Sequence, residues 1–335
     1  MTPLVCSHRR PTGCLTGRIA GVAWMLAALA VVQMQAAVQK EQVAYGGWSN
    51  CIRLSNGQIE LLAPTEVGPR VIRLAFVGGR NVFKEWPDQL GQTGGEQWRI
   101  YGGHRLWRAP EGAPTYAPDN APLTVAWDGR TLRLTAPVEK LTGLQKEIEV
   151  TLDPEHPRVV VLHRLINHNA GAVEAAPWAV TVCQGPGRAI IPQEPYIAHE
   201  AKLLPGRTMT LWNYTDMHDP RYTWGTKYVQ VRCDPANNVA QKIGFHNTPG
   251  WAAFYRDGEL FVKRFVFDPK ATYPDLGSNI EAYTGSDMLE LETLGALVRI
   301  PPAGKAEHTE TWSLNKVTLG EDDAALGGRL PELVK

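Results

Sequence analysis

The chain is 335 residues long, with 34 basic against 34 acidic side chains, 20% charged residues and 44% hydrophobic ones. That balance excludes the basic footprint of a nucleic-acid binder, and the apolar content excludes a compositionally disordered chain. The 32 Gly and 25 Pro favour many turns over long helices. Eleven Trp provide broad aromatic faces of the kind that suit sugar rings, although most Trp serve packing.

Residues 1–36 read as a secretory signal. Arg9, Arg10 and Arg18 precede an apolar run from Ile19 to Val32, small residues follow at Ala36 and Ala37, and no acid occurs before Glu41. The run is shorter than the roughly 20 residues that span a bilayer. Cys6 and Cys14 lie upstream of it, so no lipid-anchor cysteine follows. Cleavage after Ala36 predicts an exported protein, periplasmic or extracellular, without stable membrane insertion and with 31 basic against 34 acidic residues. Cys51, Cys183 and Cys233 remain. An odd number permits at most one internal disulfide, and the spacing is unlike a zinc site. No metal and no cofactor is expected.

From residue 37 onward the pattern is all β. Strands are predicted at Val71–Phe76, Lys146–Leu152, Val159–Ile166, Trp178–Cys183, Met209–Trp212, Tyr228–Cys233, Met288–Thr293, Leu297–Ile300 and Thr309–Leu314. Two hairpins stand out. Asp128-Gly129 separates Leu123–Trp127 from Thr131–Leu134, and Asp257-Gly258 separates Trp251–Tyr255 from Leu260–Val262. Asp-Gly accepts the positive φ angles of a type I′ turn. The 86–121 segment is rich in Gly, Pro and aromatics and shows no clear strand. No linker divides the chain, which predicts a large antiparallel β-sandwich over residues 37–335 as one domain.

Three segments concentrate polar chemistry. Gly102-Gly103-His104-Arg105-Leu106-Trp107-Arg108-Ala109-Pro110-Glu111 gathers a His, two Arg, a Trp and a Glu between Gly-Gly and Pro. Leu289-Glu290-Leu291-Glu292-Thr293 alternates, so Glu290 and Glu292 share one strand face and the leucines the other. Paired carboxylates raise one another's pKa toward neutrality, which suits a general base. Asn279, Glu281 and Tyr283 share a face if that segment is extended. His163 and His168 are five apart, face opposite sides of a strand and read as packed or solvent-facing. Lys227 and Lys242 flank predicted strands within reach of a sugar or an acidic substituent, with surface solvation as the default reading of both.

Taken with Val161–Asn167 and Pro177–Thr181, these segments resemble the galactose mutarotase-like (aldose 1-epimerase-like) superfamily, and within it the secreted bacterial DUF4380-type branch. The Gly-Gly loop is similar to the one that opens the sugar cleft. The Leu-Glu-Thr segment is similar to the one that carries the general base. The resemblance implies a galactose mutarotase-like supersandwich and a sugar or glycan ligand. It implies Glu292 as base at the anomeric carbon, with His104 as the candidate acid. Arg105, Trp107, Glu111, Asn279, Glu281, Tyr283 and Glu290 are the expected substrate-binding residues. The departure is at Cys183, which falls where the family's acid His is expected. The function implied is therefore an exported carbohydrate-binding protein, with isomerase (aldose 1-epimerase-like) chemistry as its candidate activity. Two alternatives remain open: a non-catalytic glycan-binding protein, or a glycan lyase or hydrolase using the paired carboxylates. Oligomeric state is not readable.

Overall fold

The computed structural model describes residues 37–335, so the signal segment read at 1–36 lies outside the described residues. All paired strands among them run antiparallel, in three sheets. The first is four-stranded and contains Gln39–Tyr45, Trp48–Ser55, Ile59–Pro64 and Arg73–Phe76. The second has ten strands, ordered from Tyr222–Trp224 through Tyr228–Cys233, Gly187–Pro192, Trp251–Arg256, Glu259–Phe265, Lys305–Lys316, Arg158–Asn167, Leu144–Leu152 and Thr131–Thr135 to Thr124–Trp127. The third runs Met209–Leu211, Gln241–Phe245, Ile280–Gly285, Met288–Leu294, Val173–Gln184, His104–Ala109 and Arg70–Val71, with Val298–Ile300 pairing onto Val173–Ala175.

The ten-stranded sheet faces this third sheet across the main core. Leu106, Cys183, Ile243, Ala282, Leu289 and Leu291 from one side meet Ile148, Val161, Phe254, Phe261, Trp312 and Leu314 from the other. Side chains alternate across a strand, so the third sheet also has an outer face. Directly opposed residues lie on the same side, which groups Arg105, Val180, Glu292 and Glu281 on that outer face.

The hairpins differ from each other. Asp257 (φ 47) and Gly258 (φ 84) both take positive φ, as the type I′ expectation requires. At Asp128 the turn lies one residue later: Trp127 pairs with Leu132, and Gly129 takes φ 95. The Asp128 carboxylate accepts the Arg130 and Thr131 amides at 2.8 and 2.7 Å, which holds Asp128 as the residue before the turn. The expected Val71–Phe76 strand divides at Ile72, whose two halves serve different sheets. The 86–121 segment does carry a strand, His104–Ala109. Its entry needs glycine: Gly102 and Gly103 have φ 107 and 73, and a Cβ would lie 2.0 Å from Lys84 O and 2.3 Å from Val71 O. All three described cysteines are buried free thiols.

A polar chain crosses the core. His163 Nδ1–H donates to His308 O at 2.9 Å, leaving His163 Nε2 to accept from His104 Nε2–H at 2.7 Å. His104 Nδ1 then accepts from the Thr181 hydroxyl at 2.8 Å. Lys263 reaches from the ten-stranded sheet to Ala179 O, Leu291 O and Glu310, each at 2.9 Å. These bonds tie the sheets together through fully satisfied polar groups.

Burial holds the pKa of His104, His163 and His308 below the ordinary histidine value, that of His308 at about 3. A neutral imidazole buried this way stabilises the fold fully above the unfolded-state value of 6.5, and its contribution is lost as pH falls below that value. Each such group adds a slope of up to about 1.4 kcal/mol per pH unit below that point. Urea unfolding followed from about pH 7.5 down to about pH 5 should show this loss. His104→Gln should remove roughly one proton's share of the slope. An unchanged slope would show that His104 does not resist protonation in the folded state.

Candidate functional site

The outer face of the third sheet collects the charged residues that the core excludes. Glu281 stands directly opposite Glu292 across neighbouring strands, Tyr283 opposite Glu290, and Lys242 opposite Tyr283. Lys242 Nζ lies 2.8 Å from Glu281 Oε2 and 3.1 Å from Glu292 Oε2. Trp178 Nε1 donates to the same Glu292 oxygen at 2.7 Å. Arg105 Nη2 donates to Glu290 Oε1 at 2.9 Å.

Aromatic rings surround these charges. Lys242 Nζ sits 4.6 Å from the Trp178 ring centre and 4.7 Å from that of Trp212. The Arg105 guanidinium lies 4.2 Å from the Trp107 ring and 5.7 Å from the Trp98 ring. Trp98, Trp107 and Tyr116 pack on one another with centroids 5.1 to 5.4 Å apart. Glu281 and Glu292 are consequently fully buried. Several polar atoms under this cover have no protein partner: Glu281 Oε1, Glu292 Oε1, Arg105 Nε and Nη1, Trp98 Nε1 and Trp107 Nε1. Buried orphans of this kind are costly, and their gathering on one face marks a site for a polar ligand.

Burial raises the pKa of Glu281 well above the usual carboxylate range; Lys242 opposes this, and Glu292 and Asp275 add to it. Burial also raises Glu292, against Lys242, with Glu290 adding to the rise. Burial works against the charge of Lys242, but Glu292 and Glu281 outweigh it and hold the ammonium above its ordinary value. One cation shared by two carboxylates leaves room for one proton. We place it on Glu281, because Glu292 has two donors on one oxygen and Glu281 has only Lys242.

No family model and no curated protein matches the chain. Solved structures do. YeaD from Salmonella typhimurium, provisionally assigned as a mutarotase, superimposes with a TM-score of 0.53 at 11% identity, over 85% of this chain and 95% of its own. A galactose mutarotase-like protein from Clostridium acetobutylicum gives 0.52 at 9% identity, over 84% and 99%. The fold is galactose mutarotase-like. A TPR-domain containing protein from Parabacteroides distasonis gives 0.55 at 14% identity, over 81% of this chain and 48% of its own, so the chain spans about half of that protein.

Within this mutarotase-like frame the expected residues separate. Glu292, Glu290, Glu281, Arg105, Trp107 and Tyr283 share the outer face. Glu111 is exposed at its edge, where it accepts from Tyr116 Oη at 2.5 Å. Two residues do not join them. His104 points into the core, one residue out of phase with Arg105, and both ring nitrogens are engaged there. Asn279 is buried with its amide engaged by the Asn247 backbone at 2.8 and 3.0 Å, so it fastens a strand end.

Cys183 also faces the core, paired with Leu289, and burial pushes its thiol up. The outward positions of its strand beside Glu290 and Glu292 are Trp178, Val180 and Val182, none of which transfers protons. Lys242, read as solvated, instead lies at the centre of the site and is 4% exposed. The sequence signal available for it was its alternation with Gly244 in a short strand. Trp178 and Trp212 were overlooked as ligands of charge, since a lone Trp in an apolar run reads as core.

His104, His163 and Glu310 are spaced closely enough to hold a metal. Their atoms are already spent: the His nitrogens on each other, Thr181 and His308, and Glu310 on Lys263, Thr293 and Trp312. The Lys263 ammonium beside Glu310 opposes a cation there, so this group is a closed hydrogen-bond network.

A carboxyl with a raised folded-state pKa lowers stability as pH climbs from its unfolded value toward its folded one. Glu281 should therefore destabilise the protein progressively above about pH 4.5. Thermal unfolding of Glu281→Gln should decline less between about pH 5 and about pH 9 than that of the parent protein. Parallel declines would place the proton elsewhere.

Proposed function

We propose that this is an exported carbohydrate-binding protein of the secreted DUF4380-type branch, with residues 1–36 as its signal and residues 37–335 as one supersandwich domain. Its outer sheet face binds a sugar and acts at the anomeric carbon, with Glu292 as the base. The observation that carries this reading is the set of unpartnered donors and acceptors on Arg105, Glu281 and Glu292 beneath Trp98, Trp107, Trp178 and Trp212. Sugars match it: hydroxyls supply paired donors and acceptors, and the apolar ring faces stack on indoles.

Glu292 is suited to take the proton of the anomeric hydroxyl. Its Oε2 is held by Trp178 and Lys242, which leaves Oε1 free for substrate. Arg105, fixed by Glu290, offers two further donors for ring hydroxyls. Access requires Trp98 or Trp212 to swing aside, since both lie over the charged groups. A specific observation favours a second reading, a binder without catalysis: the outward residues Trp178, Val180 and Val182 supply no acid.

Calorimetry with neutral aldoses, uronic acids and amino sugars tests the binding. A neutral aldose should bind, and Trp107→Ala should weaken it by roughly tenfold, the value of a lost stacking contact of about 1.4 kcal/mol. Failure of every sugar in the panel, with the protein folded, would remove the carbohydrate reading.

A further inference from the structure

We propose that Glu281 is the proton donor that partners Glu292, so that one carboxylic acid and one carboxylate, bridged by Lys242, perform sugar ring opening from a single sheet face. This rests on the reading of the outer face as a sugar site.

The geometry supports it in three ways. Glu281 and Glu292 are directly opposed in register, and both touch Lys242 Nζ, at 2.8 and 3.1 Å. Glu292 keeps Oε1 without a hydrogen-bond partner, and Glu281 keeps both oxygens without one, since its contact with Lys242 is an ion pair. The charge count then requires a shared proton. Three carboxylates, Glu281, Glu290 and Glu292, face two cations, and Arg105 is already committed to Glu290 at 2.9 Å. The groups that act on the pair come from the sheet, Lys242, Glu290 and Tyr283, and from the loops, Asp275 and Tyr214. The raised pKa of Glu281 agrees with this assignment.

The step balances without a further reactant. Glu292 removes the proton from the anomeric hydroxyl, and that O–H electron pair becomes the second bond of the new carbonyl. The bond between the anomeric carbon and the ring oxygen breaks, and its electron pair goes to the ring oxygen. The ring oxygen takes the proton of Glu281. The result is an open-chain aldehyde, a protonated Glu292 and an ionised Glu281, with no change in total charge. After rotation about the adjacent carbon–carbon bond, the reverse step closes the ring as the other anomer and restores both protons. The two oxygens that exchange protons sit on the same carbon, so neighbouring carboxyl groups reach both.

Polarimetry with freshly dissolved α-D-glucose and α-D-galactose, paired with calorimetry on the same sugars, tests the proposal. The wild-type protein should accelerate mutarotation, with a rate that declines in alkali as the shared proton is lost. Glu281→Gln should bind the sugar with an affinity within a few-fold of wild type yet lose roughly 100-fold or more in rate, the usual share of a general acid. Glu281→Asp, which keeps an acidic proton, should recover part of that rate. Three results separate the possibilities. If Glu281→Gln retains the wild-type rate and alkaline decline, the acid assignment is overturned while Glu292 and the sugar site stand. If the wild type binds sugar without accelerating mutarotation, the chemistry is overturned and the binder remains. If nothing binds, the site reading itself has failed.

Discussion

Strict two-residue alternation across the central strands of the third sheet is the constraint on which the rest of the structure depends. In Met288–Leu294, Leu289, Leu291 and Thr293 turn toward the core and the glutamates turn away. In His104–Ala109 the same rule sends His104 inward and Arg105 outward. A one-residue slip of the first strand would bury carboxylates among Phe261, Trp312 and Leu314 and expose leucines, and a slip of the second would bury Arg105 there and expose Leu106. That penalty pins the register. Each strand thus serves two chemistries at once: a core that closes its polar groups on one another, and an outer face that leaves several open.

The contrast between the two polar networks is informative because their ingredients are similar. Both contain a buried lysine and buried carboxylates. In the core, Lys263 spends its charge on Glu310 and two carbonyls, and both nitrogens of His104 and of His163 have their bonds. On the outer face, Lys242 is divided between two carboxylates, and two of the three Arg105 nitrogens are idle. Buried ion pairs yield little net stability even when well made. An incompletely paired set costs stability, and binding sites are where such costs collect.

Much of this was legible in the sequence, for reasons tied to period. Alternation put Glu290 and Glu292 on one face of their strand, and Asn279, Glu281 and Tyr283 on one face of theirs; the register between the strands is what joins the two sets. Arg105 and Trp107 came from the family resemblance and the concentration of polar residues in their segment, not from alternation. The limits are equally physical. His104–Ala109 did not read as a strand because buried polar residues occur on both of its faces, which erases the hydrophobic alternation. His104 and Arg105 were grouped by proximity along the chain, although neighbours in a strand point apart. Asn279 shares a face with Glu281, but period alone does not show that Asn247 already occupies its amide. Lys242 was misjudged because lysine is rarely buried, and its two compensating carboxylates lie about 40 and 50 residues away in sequence.

The aromatic cover links these features. Trp178 and Trp212 flank the Lys242 ammonium, and burial both raises Glu281 and strengthens its attraction to Lys242. The same rings are the surfaces on which a sugar would stack, so a ligand replaces water with an apolar ring face and keeps the carboxyl pair dry. A cover fixed rigidly would prevent entry. The loop bearing Trp212 is held by Thr215, whose hydroxyl donates to Lys242 O at 2.5 Å, and by the Asp216 amide on Gln241 at 2.8 Å. These few hydrogen bonds, with Tyr214 and Met217 exposed beside them, are a weaker attachment than the sheet beneath. The candidate site is thus a charged sheet face beneath aromatic rings, of which Trp107 and Trp178 are fixed in strands and Trp212 stands at the start of a loop.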